Sequence, residues 1–154
     1  MAKINVYIDT REKKPFRIVP NEFIDKVISK KVDVGDYTIE GLEHLLALER
    51  KRNSSEIAIN IFEKRFYNEL EKMSKFKYKF IVCEFTIKDV LSYPVNSGMP
   101  ARYYSSARIN GNFIMSKLLD IQINYGIHIL FCGLQAQATT LAILKKVAKL
   151  EGLI

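Results

Sequence analysis

The hydrophobic period of this 154-residue chain switches repeatedly between that of a strand and that of a helix, and neither helices alone nor a sheet alone can accommodate the switches. Ile4, Val6 and Ile8 alternate with Asn5 and Tyr7, the period of a half-buried strand that stops at Asp9. Asn21 followed by "EFIDKVISKK" predicts a capped helix with Phe23, Ile24, Val27 and Ile28 on one face. "VDVGDYTIEG" and "LLALERK" read as a hairpin, the first strand broken by Gly35 and closed by Gly41. Ser54 or Ser55 then caps a helix through "EIAINIFEKRFYNELEKMSKF", and "YKFIVCEF" has the continuous apolar character of an interior strand ending on Glu84. After a short helix, "IKDVLS", the segment "YPVNSGMPARYYSSARINGN" lacks any period and reads as a long loop. A helix ending on Gly126, a strand "IHILFCG" and a last helix "QAQATTLAILKKVAKLEG" complete the chain. This alternation predicts an α/β domain, a central mixed sheet flanked by helices on both faces.

No internal repeat or shift of composition divides residues 1–154, so one domain is expected. No apolar stretch is long enough to span a membrane, and "MAKINVYIDT" lacks the apolar core of a signal peptide, so an intracellular, non-secreted protein is expected. Cys83 and Cys132 lie in apolar runs without metal-type spacing and read as buried free thiols; His44 and His128 have no metal-spaced partner and read as structural. The formal charge of +7 favours a polyanionic partner, with basic residues spread over "REKKPFR", "SKK", "ERKR" and "KFKYK".

Four acidic residues, Asp9, Asp36, Glu49 and Glu84, fall at the ends or breaks of the expected strands, at one rim of the sheet. Carboxylates gathered there repel one another unless a cation neutralises them, and Mg²⁺ needs only one or two carboxylates beside water and substrate phosphate. Lys51 follows Glu49 by two positions, so strand alternation aims both at the same face. A metal ligand and a catalytic cation on one strand suit metal-assisted phosphodiester hydrolysis. The competing reading is a charged strand tip that has merely reached solvent.

"GDY", "ERK" and the upstream "IDTRE" resemble the nuclease domain of the XPF-type structure-specific endonucleases, whose signature is Gly-Asp, a variable gap, Glu-Arg-Lys, three residues and Asp. Gly35, Asp36, Glu49, Arg50 and Lys51 match it, and Asp9, Arg11 and Glu12 match the Asp-x-Arg-Glu before it. "FEKRFYNEL" and "FIVCEF" resemble the helix and strand that follow. The resemblance implies a restriction-endonuclease-like fold and an Mg²⁺- or Mn²⁺-dependent endonuclease acting on branched DNA or single/double-strand junctions in repair or recombination. It implies Asp36, Glu49, the main-chain carbonyl of Arg50 and Asp9 as metal site, and Lys51 as the cation that orients water and stabilises phosphate charge. Arg11, Arg50 and Arg52 are expected at DNA, with Glu12, Ser55 and Glu84 in support, while Arg50 also reads as a brace of the site and Glu84 as a salt-bridge partner of Arg11 or Arg50; Arg102, Tyr103 and Arg108 of the long loop combine cations and rings suited to unpaired bases. Ser55 stands where the family signature has its last Asp, and a hydroxyl is a poor magnesium ligand. The eukaryotic members carry helix-hairpin-helix modules, for which no "GIG"-like hairpin is present in this sequence. In the last helix Leu141, Leu144 and Ala148 form one stripe, and Ile143, Val147 and Leu150 lie off it; with the family's habit of pairing, this width implies a homodimer through the C-terminal helices. A junction resolvase with the same site and a non-catalytic DNA- or partner-binding module remain as alternatives.

Overall fold

The computed structural model describes residues 2–154. Six strands, β1 (Ile4–Ile8), β2 (Ile24–Ser29), β3 (Tyr37–Ile39), β4 (Leu46–Lys51), β5 (Tyr78–Cys83) and β6 (His128–Phe131), form one sheet in the order β2-β1-β3-β4-β5-β6. β1–β2, β4–β5 and β5–β6 pair parallel, while β3 runs antiparallel to both neighbours. The helices are α1 (Ser54–Asn60), α2 (Lys64–Ser74), α3 (Ile87–Leu91), α4 (Gly111–Tyr125) and α5 (Ala136–Leu150). The expected mixed sheet with helices on both faces is what the chain forms.

Strand parity sorts the core into two layers. Tyr37, Leu46, Leu48 and Val82 pack with Ile143, Leu144, Val147 and Ala148 of α5 on one face. Ala47, Ile81, Cys83 and Ile129 pack with residues of α1 to α4 on the other, among them Ile57, Leu70, Val90 and Ile114. Because side chains alternate across a strand, the odd-numbered end of β4 must point to the α1–α2 side and its even-numbered end to the α5 side.

Residues 22–31 do not form the expected helix. Asn21 Oδ1 accepts the Phe23 and Ile24 N–H groups at 2.9 and 2.8 Å, an Asx turn that mimics a cap, after which the chain extends as β2 along β1. Ile24, Val27 and Ile28 are β-branched, and pairing with β1 outweighs their helical spacing. The long helix expected after the hairpin is two: α1 ends at Asn60, and the freed Ile61 carbonyl accepts the Tyr67 hydroxyl at 2.8 Å. Its cap is Asn53, whose side chain accepts the Glu56 N–H at 2.9 Å, rather than Ser54 or Ser55. The long loop contains a 3₁₀ turn at Ala101–Ser106.

In α5, Ile143 and Val147 are buried in the same core as Leu144, so most of the apolar width that implied an interface is taken up within the chain; Leu150 alone of the off-stripe residues is exposed. Cys83 is buried and Cys132 half-buried, both free. No helix of the described residues is long and apolar enough to cross a membrane.

Candidate active site

Gly35 brings the chain into the site. Its φ of +85° lies in the left-handed region, and a Cβ there would stand 3.0 Å from the backbone N and O of Leu48. Only glycine permits both the turn and this approach, which lets the Asp36 N–H donate to the Leu48 carbonyl at 2.8 Å. The register that pairs Tyr37 with Leu48, carried one residue further, sets Asp36 opposite Glu49. Both carboxyl groups line a cleft of about 270 Å³ together with Lys51.

The electrostatics follow from that pairing. Burial pushes the Asp36 carboxyl above its ordinary value, offset only in part by the Arg50 N–H that donates to Oδ2 at 2.8 Å. Burial and then the negative charge of Asp36 raise Glu49 further. The Lys51 ammonium lies 3.8 Å from Glu49 Oε1, 3.5 Å from Glu56 Oε1 and 5.1 Å from the centre of the Phe66 ring. A single buried ammonium shared between Glu49 and Glu56 leaves the pair with Asp36 under-neutralised.

Asp9 has a different environment. Its Oδ1 accepts the Val32 N–H at 2.8 Å, and its Oδ2 accepts Arg11 Nε at 2.8 Å and the Arg11 N–H at 3.3 Å. Burial pushes its carboxyl up, yet the hydrogen bonds from Arg11 and Val32 and the Arg11 charge outweigh it, and the net direction is down. Arg11 also donates to the Val32 carbonyl at 3.0 Å, so this pair ties the segment before β3 to the end of β1. Asp9 lines the cleft, but its oxygens are occupied, and no group of three or more acidic, His or Cys side chains gathers around one point among the described residues.

Arg50, of opposite parity to Glu49 and Lys51, points to the α5 side. Its guanidinium meets Glu84 through Nε and Nη2, both at 3.1 Å, lies 3.6 Å from Glu12 Oε2, donates to the Lys14 carbonyl and stacks 4.1 Å from the centre of the Phe16 ring. It is 9% exposed and thus withdrawn from DNA, against the expected contact there. Arg50 is a brace: side chain locked, backbone N–H aimed at Asp36. Glu84 and Glu12 are its anchors, and Arg52, 3.4 Å from Glu12, belongs to the same network. Ser55 donates its hydroxyl to Asn53 Oδ1 at 2.8 Å and does not line the cleft. Arg102, Tyr103 and Arg108 are exposed on and just after the 3₁₀ turn.

The opposite wall of the cleft was not read from the sequence. Asn60 and Glu63 at the break between α1 and α2, with Arg65 and Glu69 on α2, face the carboxylate pair. Arg65 is 83% exposed on a weak pair with Glu63 at 3.4 Å, leaving a guanidinium available in the cleft, whereas Arg11 is bound down. The match of "FEKRFYNEL" to the family helix was the signal for it.

Fold and site together define a restriction-endonuclease-like α/β domain with paired carboxylates and a lysine at the sheet rim. The ERCC4 domain matches residues 8–144, and the chain belongs to that family. Its fold is that of XPF from Aeropyrum pernix, at TM-score 0.61 and 21% identity, covering 96% of this chain and 64% of that one. The complex of the A. pernix XPF with DNA is similar at TM-score 0.62 and 22% identity, covering 99% of this chain and 68% of that one. The chain thus spans about two thirds of the length of these solved proteins. No curated protein sequence matches it.

Proposed function

We propose that this nuclease domain is a Mg²⁺- or Mn²⁺-dependent endodeoxyribonuclease that cleaves branched DNA or single/double-strand junctions. The observation that carries the reading is that Asp36, next to β3, and Glu49, on the neighbouring β4, line one cleft with the Lys51 ammonium 3.8 Å from Glu49, burial raising Asp36 and burial and then the charge of Asp36 raising Glu49. Two adjacent hard oxygen donors fit a magnesium-class ion, which takes few protein ligands. Asp36 and Glu49 would hold it, joined by the Arg50 carbonyl, since a residue in an extended strand directs its N–H and C=O to the same side and the Arg50 N–H already faces Asp36. Bound there, such an ion supplies Lewis-acid polarisation of the phosphate and an acidified water.

The chain's own groups do the rest. Lys51 places its positive charge at the cleft floor, where it orients water and stabilises charge growing on the phosphate oxygens. Arg50, held by Glu84 and Glu12, keeps Asp36 in register. Arg65 holds a neighbouring phosphate, Asp9 and Arg11 fix the segment behind the cleft, and the exposed Arg102, Tyr103 and Arg108 contact DNA outside it. The net positive charge supports DNA as partner, as does the A. pernix XPF solved in complex with DNA. The reading includes a homodimer, supported by the exposed Leu119 and Ile123, one turn apart on α4 and 49% and 78% accessible; sedimentation checks it.

The test is Asp36→Ala or Glu49→Ala, assayed for cleavage and for binding of a splayed-arm DNA. Cleavage falls by at least ~10²-fold while binding is retained. A wild-type chain that binds DNA but never cleaves it, with any divalent ion, establishes the non-catalytic alternative instead.

A further inference from the structure

Phe62, in the turn between α1 and α2, and Phe113, in the first turn of α4, hold their rings 9° from parallel with centroids 6.0 Å apart. Neither is covered: Phe62 is 63% and Phe113 38% exposed, and Ile59, whose carbonyl accepts the Phe62 N–H, is 62% exposed. Large apolar groups left together at a surface mark a binding site more often than an accident of packing.

The surrounding charge says what kind of ligand fits. From Ser92 to Leu119 there is no Asp or Glu, while Arg102, Arg108 and Lys117 fall in that span. The Lys117 ammonium stands 5.6 Å from the centre of the Phe113 ring, Arg108 and Phe113 line the same shallow recess, and the Arg102 guanidinium lies 4.8 Å from the centre of the Tyr103 ring. Flat apolar faces interleaved with cations complement a ligand that is itself flat, apolar-faced and polyanionic, which is an unpaired nucleotide strand. In duplex DNA the base faces are stacked inside and unavailable to such rings. The position agrees, because Asn60 and Glu63, the near neighbours of Phe62 in sequence, line the catalytic cleft.

We propose that Phe62 and Phe113, flanked by Lys117 and Arg108, form a stacking platform for the single-stranded arm of the DNA substrate. The inference rests on the nuclease reading and adds the residues that would separate a junction from plain duplex. It is tested by fluorescence anisotropy on labelled oligothymidylate, a blunt duplex of equal length and a splayed-arm DNA, with Ca²⁺ in place of Mg²⁺, for wild type and for Phe62→Ala/Phe113→Ala. The expected result is a loss of about tenfold or more in affinity for oligothymidylate and the splayed arm, with duplex affinity unchanged within about twofold. Phe62→Tyr, which keeps the ring, retains wild-type binding; Phe62→Glu, at the more exposed position, gives a second disruptive variant should the double one not fold. Equal losses on all three DNAs, or no loss on any, overturn the platform while leaving the nuclease reading intact. A change in sedimenting mass in the variant also overturns it, assigning the rings to a second copy of the chain. Failure of the wild type to bind any of the three DNAs overturns the nuclease reading as well.

Discussion

Asp9 and Asp36 sit at the same rim of the sheet, joined by a hydrogen bond from the Asp9 N–H to the Asp36 carbonyl at 2.8 Å, yet their carboxyls titrate in opposite directions. Depth alone does not separate them, since burial pushes both up. What differs is what each faces: Asp9 meets a guanidinium and two N–H groups, whereas Asp36 meets one N–H and a second carboxyl. A carboxylate that accepts several hydrogen bonds holds the chain together; one set against another meets repulsion that a cation relieves. The comparison teaches that partners, and not depth, decide the direction in which a rim acid is shifted.

The sharpest way to break the contrast is to remove charge from the pair. Asp36→Asn or Glu49→Gln should cost at least ~10²-fold in Mg²⁺-dependent cleavage, while the metal-free protein melts no lower than wild type, because a repulsive neighbour is gone. A lower melting temperature in both variants would show that the pair stabilises the fold. Next in size is the brace. Arg50→Lys keeps the charge but loses the two-pronged grip on Glu84, and should weaken Mg²⁺ binding by ~10- to 100-fold, as loss of an outer support to a metal ligand does; calorimetric titration reads it. Asp9→Ala leaves the buried Val32 N–H without its acceptor and should cost about 1–2 kcal/mol in urea unfolding, with a smaller effect on Mg²⁺ affinity than Arg50→Lys.

The smallest effect is one of pH. Asp36 and Glu49 have folded values above their unfolded ones, so their contribution is most favourable when protonated and is lost as pH rises from the ordinary carboxylate range through the raised values. Asp9 behaves in reverse: its contribution is present above the ordinary carboxylate value and lost as pH falls through the depressed one. The proposed site holds Mg²⁺ in its deprotonated form, so the rise in melting temperature on adding the ion should be larger at pH 8 than at pH 5, by a few degrees. An equal rise at both values would separate the ion from this pair.

Much of the site was legible because it depends on local rules. The glycine before Asp36, the hairpin and the two-residue step from Glu49 to Lys51 are set by turn chemistry and strand alternation, which operate over a few residues. The same alternation also implied that Arg50 points away from the cleft, and a salt bridge from Glu84 to Arg50 or Arg11 was legible, but the choice of Arg50 and its second anchor were not, since Glu84 lies 34 positions along the chain and Glu12 38 positions back. Nothing near Asp9 in sequence announced that the Val32 N–H, 23 positions on, would donate to one of its oxygens. The segment after Asn21 misled for a related reason: a capping side chain and helically spaced apolar residues are equally compatible with an Asx turn leading into a strand, and only the presence of β1 alongside chose between them.

The sequence by itself determined the layered α/β plan, the strand that carries Glu49 and Lys51 to one face, and the resemblance that its motifs express, because periodicity and turn residues act through neighbouring backbone geometry. Tertiary structure alone decided which carboxylates are satisfied and which confront each other, the fate of the Arg50 side chain, and the meeting of Phe62 with Phe113. Those outcomes depend on which distant groups are brought together when the chain closes, and desolvation and ion pairing act only once they are in contact.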